Sequence, residues 1–339
     1  MNKLTKIGVS ALAGSLAAVS AGHAGSMSVA GGATVSWTQN EGDVTGNPLG
    51  MNSGITFTGS GELDNGSTVT LTLTQADQVA YSAGSLTLAI PGFGTLGYDQ
   101  SGSGLDRFDD MMPTAWEETN GTGLGSTLAT AAGVGGSGNL EWTLDSGMLP
   151  DGMSAHIAMS PAANGSGLTN DLAASGAGNS VGGIGWDFAV STTGLYDGLN
   201  VFGAISNIEQ NVDAAARTGD RNQHVIGATY AMGGFTVGYQ QSSDNLANAN
   251  GTSAYDNTAY GVTFAVNDDL SISYGYHESE AIKTGATANV TLEGESFQIA
   301  YSMGGATIKI AESSVDNNSY SSGSANSKDG TTLALTLAF

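Results

Sequence analysis

The residues with the most chemical capacity lie close together. The stretch LDRFDDMMPTAWEE, residues 105–118, sets Asp106, Asp109, Asp110, Glu117 and Glu118 around Arg107 and an apolar centre. Carboxylates at this density can serve as general acids and bases, ligate a hard cation, or impose a local negative potential. Asp109-Asp110 and Glu117-Glu118 carry enough oxygens for a weak Ca²⁺ site, although the spacing of an EF-hand loop is absent. Phe108, Met111, Met112, Pro113 and Trp116 alternate with the acids. A freely solvated loop has no need of them; a loop packed on a wall does.

Other chemistries find less support. His156, His224 and His277 are far apart in sequence, and neither H-E-x-x-H nor G-x-S-x-G occurs. The run GFGTLG, Gly92 to Gly97, fits G-x-G-x-x-G, but a strand-like segment follows it where a dinucleotide site needs a helix. It reads as a turn. The chain has no cysteine, which excludes disulfides and thiolate metal sites. No cofactor is implied beyond the possible Ca²⁺, and no enzymatic activity is expected.

The elements that must position these acids follow from periodicity. In TTLALTLAF, residues 331–339, Leu333, Leu335, Leu337 and Phe339 share one face, while Thr332, Thr336 and two alanines share the other. That is period two, a strand with one apolar side. Sixteen such segments are predicted, at 26–39, 51–63, 67–76, 84–91, 94–99, 138–146, 152–160, 181–192, 198–210, 222–232, 235–242, 257–267, 269–278, 291–303, 305–313 and 330–339. Their connections alternate. Tight turns such as Asp64-Asn65-Gly66 and Gly304-Gly305 exchange with longer polar links, of which 100–137 is by far the longest and 77–83 the one short member.

This asymmetry is that of an up-and-down barrel crossing an outer membrane, with tight turns inside the cell envelope and long loops outside. Aromatic residues agree: Tyr230, Phe235, Tyr301 and Phe339 fall near turn ends, and Trp37, Tyr239, Tyr260 and Tyr276 near loop ends. If the apolar face meets lipid, the other meets water. Parity then points Glu141, His156, Asp187, His277 and Lys309 inward, among small polar residues that cannot pack a dry core. A Lys on the lipid face at mid-bilayer would cost about 2–4 kcal/mol. Sixteen strands enclose more than side chains can fill, so the interior is expected to be a water-filled pore.

The N-terminus fits export. Lys3 and Lys6 precede an apolar run from Ile7 to Val19 that is too short to span a bilayer, and small residues at Gly22 and Ala24 mark a cleavage site. Residues 1–24 are therefore read as a secretory signal peptide, cut after Ala24 or after Ala21, and 25–339 as the barrel. Its removal takes the formal charge from −23 to −25. Such acidity argues against nucleic acid or anionic lipid as partner. A secreted acidic Ca²⁺-binding β-rich surface protein is the alternative outside transport. It would show a fixed repeat with Asp at constant offsets, and none is found.

The signal segment, the sixteen strands, the C-terminal Phe339 and GLDRFDDMMPTAWEE following FGTLGYDQ resemble Gram-negative general-diffusion porins, and the loop segment resembles that of alphaproteobacterial porins. The resemblance implies a 16-stranded antiparallel transmembrane β-barrel whose third extracellular loop, about 100–137, folds inward as a constriction. It implies a homotrimer in the outer membrane, passing small hydrophilic solutes and ions. Asp106, Arg107, Asp109, Asp110, Glu117, Glu118 and Lys309 would line the constriction, with the acids favouring cations. A substrate-specific channel is the alternative within transport. The chain departs from the pattern in its shortage of basic wall residues. Among the mature basic residues Arg107, Arg217, Arg221, Lys283, Lys309 and Lys328, only Lys309 lies mid-strand facing inward, the others falling in loops.

Overall fold

The computed structural model describes residues 25–41, 46–77, 83–98, 102–119, 124–163, 182–210 and 217–339. The expected signal segment lies outside them, as do 78–82 of the short link and 100, 101 and 120–123 of the longest connection.

Sixteen antiparallel strands form a closed barrel. They are β1 Ser26–Glu41, β2 Leu49–Glu62, β3 Thr68–Ala76, β4 Ala83–Ile90, β5 Gly94–Tyr98, β6 Leu140–Leu144, β7 Met153–Ser160, β8 Gly182–Thr192, β9 Leu199–Gln210, β10 Arg221–Met232, β11 Phe235–Asn245, β12 Thr252–Ala265, β13 Leu270–Lys283, β14 Val290–Met303, β15 Ala306–Asp316 and β16 Lys328–Ala338. Each strand pairs with its sequence neighbours, and β1 pairs with β16 from Gly32↔Ala338 to Glu41↔Asp329. Closure leaves no strand edge, which hydrocarbon requires because it offers backbone groups no water to bond. All sixteen expected segments form strands, and GFGTLG opens in the turn joining β4 to β5, closed by Phe93 N–H donating to the Ile90 carbonyl, and continues from Gly94 as β5.

The two faces divide as period two demands. Ile308 and Ile310 are exposed on the outside while Lys309 between them points inward, and Leu333, Leu335 and Leu337 continue the outer face on β16. Aromatic pairs cross strands at both ends: Phe235 stacks on Phe264 at 4.3 Å and Tyr260 on Tyr276 at 5.0 Å. On the inner face from β16 to β3 the wall is lined by hydroxyls bonded across strands, Thr34 to Thr336 at 2.9 Å, Thr38 to Thr332 at 3.2 Å and Thr56 to Thr74 at 3.4 Å.

The strands depart from expectation at their loop ends. β11, β12, β13 and β15 run several residues beyond the apolar alternation. There the outward positions change from Tyr and Ile to Asp256, Glu278, Glu280 and Glu312, and pairing continues regardless, as in Asp256↔Glu280 and Glu278↔Glu293. Backbone hydrogen bonding does not depend on which side chain faces out, so the ladder extends above the apolar band. Much of the acidity therefore decorates the outer rim rather than the 105–118 stretch. The same extension corrects the placement of three basic residues expected in loops: Arg221, Lys283 and Lys328 are terminal residues of β10, β13 and β16.

Candidate functional site

The 105–118 stretch starts with a short 3-10 helix, Gly104–Phe108, and is bonded to inward-facing residues of successive strands. At its first leg, Gly104 N–H donates to Glu141 Oε2 of β6 at 2.6 Å and Leu105 N–H donates to Asp187 Oδ2 of β8 at 2.9 Å. Phe108 packs on Phe202 of β9 with ring centroids 5.1 Å apart, in a cluster with Leu105, Ala131 and Val225. Further on, Gln240 of β11 donates to the Asp109 carbonyl at 2.9 Å, and Ser273 of β13 accepts from Ala115 N–H at 2.9 Å. Gln298 of β14 accepts from Trp116 N–H at 3.0 Å and donates to the Glu117 carbonyl at 2.9 Å. The apolar residues interleaved with the acids thus face a wall, as their presence required.

The second leg returns to the same carboxylate. Val134 N–H donates to Asp187 Oδ2 at 3.0 Å, so one buried oxygen holds both legs of the loop. Gly104 and Gly133 both press on Asp187, at φ of +58° and +55°, where any side chain would collide with it. Only glycine combines this backbone conformation with that approach.

Arg107 is engaged. Its guanidinium meets Glu141 at 2.5 Å, and Glu141 also accepts from Thr143 Oγ1 at 3.2 Å. Its charge is therefore matched by a wall acid rather than by the loop acids around it. Lys309 lies over the Trp116 ring, 5.6 Å from its centroid, on the side of the barrel against which the loop packs. Arg221 pairs with Asp244 at 2.6 Å.

The sequence matches a family model for Gram-negative porins over residues 7–302. The chain belongs to the Gram-negative porin family. Its porin fold is shared with Salmonella typhi OmpF, in complex with daunomycin, at TM-score 0.70 and 15% identity over 92% of this chain and 97% of that one. A porin refined at 1.8 Å resolution matches at TM-score 0.63 and 15% identity, covering 92% and 100% of the two chains. The trimer form of Vibrio cholerae OmpT, an outer membrane protein, matches at TM-score 0.64 and 12% identity, covering 93% and 99%. A search among curated proteins returned no match. The porin is an outer-membrane channel for diffusion.

Within the porin the five loop acids fall into two groups. Asp106, Asp109, Asp110 and Glu118 stand near enough to repel one another; Glu117 is repelled by Glu118 but also feels the opposing charge of Lys309. Burial, then the carboxylates of Asp106, Asp110 and Glu118, push Asp109 up to about 8. Burial likewise raises Asp106, Glu117 and Glu118 above the usual carboxylate range, with Lys309 opposing the rise at Glu117. Among the described residues no group of three or more His, Asp or Glu is arranged to hold a metal ion, so the expected Ca²⁺ at Asp109, Asp110, Glu117 and Glu118 gains no support from the geometry.

Sequence reasoning did not identify the seat of the loop tip. Gly238, Gly261 and Gly275 are directly paired across β11, β12 and β13. A Cβ at Gly238 would stand 2.6 Å from Pro113 Cδ, one at Gly261 2.8 Å from the Pro113 carbonyl, and one at Gly275 would collide with Thr119. The row is a notch cut in the wall for Met112, Pro113 and Thr119. The available signal was inward parity of three glycines, whose pairing needs the register. Gly261→Val is expected to push the tip off the wall, at an overpacking cost of about 1–3 kcal/mol. Single-channel conductance should fall while the sign of ion selectivity is kept; unchanged conductance would mean the notch does not set the aperture.

Proposed function

We propose that this porin is a general-diffusion channel for small hydrophilic solutes and ions, that it prefers cations, and that it works as a homotrimer in outer-membrane lipid. The observation that carries the reading is the course of the acidic loop. Its backbone bonds to inward-facing residues from β6 to β14, which leaves the hydroxyl wall of β16 to β3 as the other side of the aperture. Asp106, Asp109, Asp110, Glu117 and Glu118 are the charged lip of that aperture. Arg107 is neutralised by Glu141 and Lys309 sits against the loop itself, so the charges that would oppose the acids are few. A negative lip attracts cations and repels anions. The channel does no chemistry; its substrates pass unaltered.

The trimer is supported by the outer face of β1 and β2, where Met27, Val29, Val35, Leu49 and Met51 are exposed, and by the trimer form of a structural relative. Chemical cross-linking of unheated protein should give a three-chain species.

Liposome swelling tests general diffusion. Neutral sugars of rising size should enter at rates that fall smoothly with radius, without saturation. Saturation, or conductance blocked by one solute at low concentration, would instead indicate a substrate-specific channel.

The pH dependence has a definite sign. Asp109 is protonated below about 8 and ionised above it, and its raised neighbours shed protons in the same direction. Negative charge at the lip therefore grows as pH rises, and cation preference should strengthen between about pH 6 and pH 9. Reversal potentials measured across that range check it; a flat profile would take Asp109 out of the filter.

A further inference from the structure

The return limb of the loop is held by another loop, and in an unusual way. Between β15 and β16, Asn317, Ser319 and Tyr320 take φ of +54°, +59° and +52°. Asn tolerates this left-handed region; Ser does so rarely, and for a residue as bulky as Tyr it is an outlier. Strain of this kind persists only where surrounding contacts enforce it, and such sites concentrate where conformation matters to function.

The contacts that enforce it lead to the return limb and to the wall behind it. Asn318 Oδ1 accepts from Thr127 N–H at 2.9 Å and from Thr127 Oγ1 at 3.1 Å. Ser319 N–H donates to Thr127 Oγ1 at 2.8 Å. The Tyr320 hydroxyl accepts from Ala129 N–H at 2.7 Å and bonds Ser279 Oγ of β13 at 2.7 Å, so one oxygen joins limb to wall. The Tyr320 ring lies 4.9 Å from Tyr255 and packs with Leu128 near the buried Leu124, Leu292 and Val315. Asn317 ties the turn to β14 by donating to the Thr291 carbonyl at 2.8 Å. The left-handed residues present Asn318, the Ser319 amide and the Tyr320 hydroxyl to the limb together.

We propose that Asn318 and Tyr320 are positioning residues, and that the strained turn 317–320 is a latch that sets how long the loop stays in its conducting position. This rests on the reading of the loop as the constriction. The strain works against the bonds, so the latched state exceeds the released one by less than its bonds alone would give. A turn on the outer rim thereby controls an element inside the pore.

Single-channel recording of Tyr320→Phe tests it. The variant keeps the ring and loses both bonds of the hydroxyl, so open dwell times should shorten about five- to tenfold. Reversal potential and heat-modifiable gel migration should match the wild type, because the acids and the barrel are untouched; a purely structural role would lower heat stability and leave dwell times alone. Asn318→Ala should act in the same direction. Ser319→Gly relieves strain and keeps the Asn318 and Tyr320 bonds, giving up only the long 3.3 Å contact of Thr127 Oγ1 with Ser319 Oγ, so its dwell times should equal or exceed those of the wild type. Wild-type dwell times in both Tyr320→Phe and Asn318→Ala, or shortened ones in Ser319→Gly, would overturn the latch while leaving the channel intact. A wild-type protein that forms no channel would overturn the functional reading and the latch with it.

Discussion

Converting Asp109, Asp110, Glu117 and Glu118 together to Asn and Gln should lower the cation-to-anion permeability ratio about fivefold at 0.1 M salt. The magnitude follows from Coulomb's law. A carboxylate about 10 Å from a passing ion is worth about 0.4 kcal/mol at water's dielectric. Four of them favour a cation and disfavour an anion by about 1.6 kcal/mol each, and screening over a Debye length of about 10 Å leaves about a third of that difference. Incomplete ionisation of Asp109 reduces it further. Asp106 and the outer-rim acids remain, so preference should weaken without reversing. The measurement is the reversal potential of the variant beside the wild type, repeated at higher salt, where the two should converge. An unchanged ratio at low salt would show that the loop acids are not the filter.

The largest structural effect is expected from Asp187→Ala. Leu105 and Val134 are fully buried, and both amides lose their acceptor when the carboxylate goes. A buried donor left without a partner costs about 1–3 kcal/mol, so the two together cost about 2–6 kcal/mol. The loss falls on the two legs of the loop, since the strands keep their own ladder bonds. The expected result is a folded barrel with a detached loop: higher and noisier conductance, and protease cleavage within 102–137 that the wild type resists. Asp187→Asn should rescue most of this, because both amides bond the same oxygen and an amide oxygen can accept both. If Asp187→Ala conducts quietly and resists protease, the clasp is dispensable.

The barrel was legible because its signal is local. Period two over eight or more residues fixes a strand and both of its faces, so parity alone directed Glu141, Asp187 and Lys309 inward. The loop ends of β11, β12, β13 and β15 were not legible, because the apolar signal stops at the edge of the lipid band and the hydrogen-bond ladder does not. Asp256, Glu280 and Asp316 look like loop residues in sequence and are strand residues in the fold.

What the sequence withheld about the site is a matter of register and closure. Arg107 and Glu141 were both singled out, yet nothing local links residues 34 apart, and their pairing depends on how the loop enters the barrel. Trp116 and Lys309 meet because the loop crosses to β15, and Asp187 serves two legs because β8 lies beneath both. The glycine notch depends on the pairing of β11, β12 and β13 and hides in a composition of 52 Gly that resembles low complexity. The strain at Tyr320 has no sequence signature at all, since backbone conformation imposed by tertiary contacts leaves no mark on residue type.

The most direct test of the account is the reversal potential of the purified wild-type protein in a planar bilayer under a tenfold KCl gradient at pH 8. A water-filled barrel filtered by the acids of residues 106–118 gives stepwise conductance and a potential with the sign of cation preference, shrinking as total salt rises. Stepwise conductance with the sign of anion preference would contradict the account.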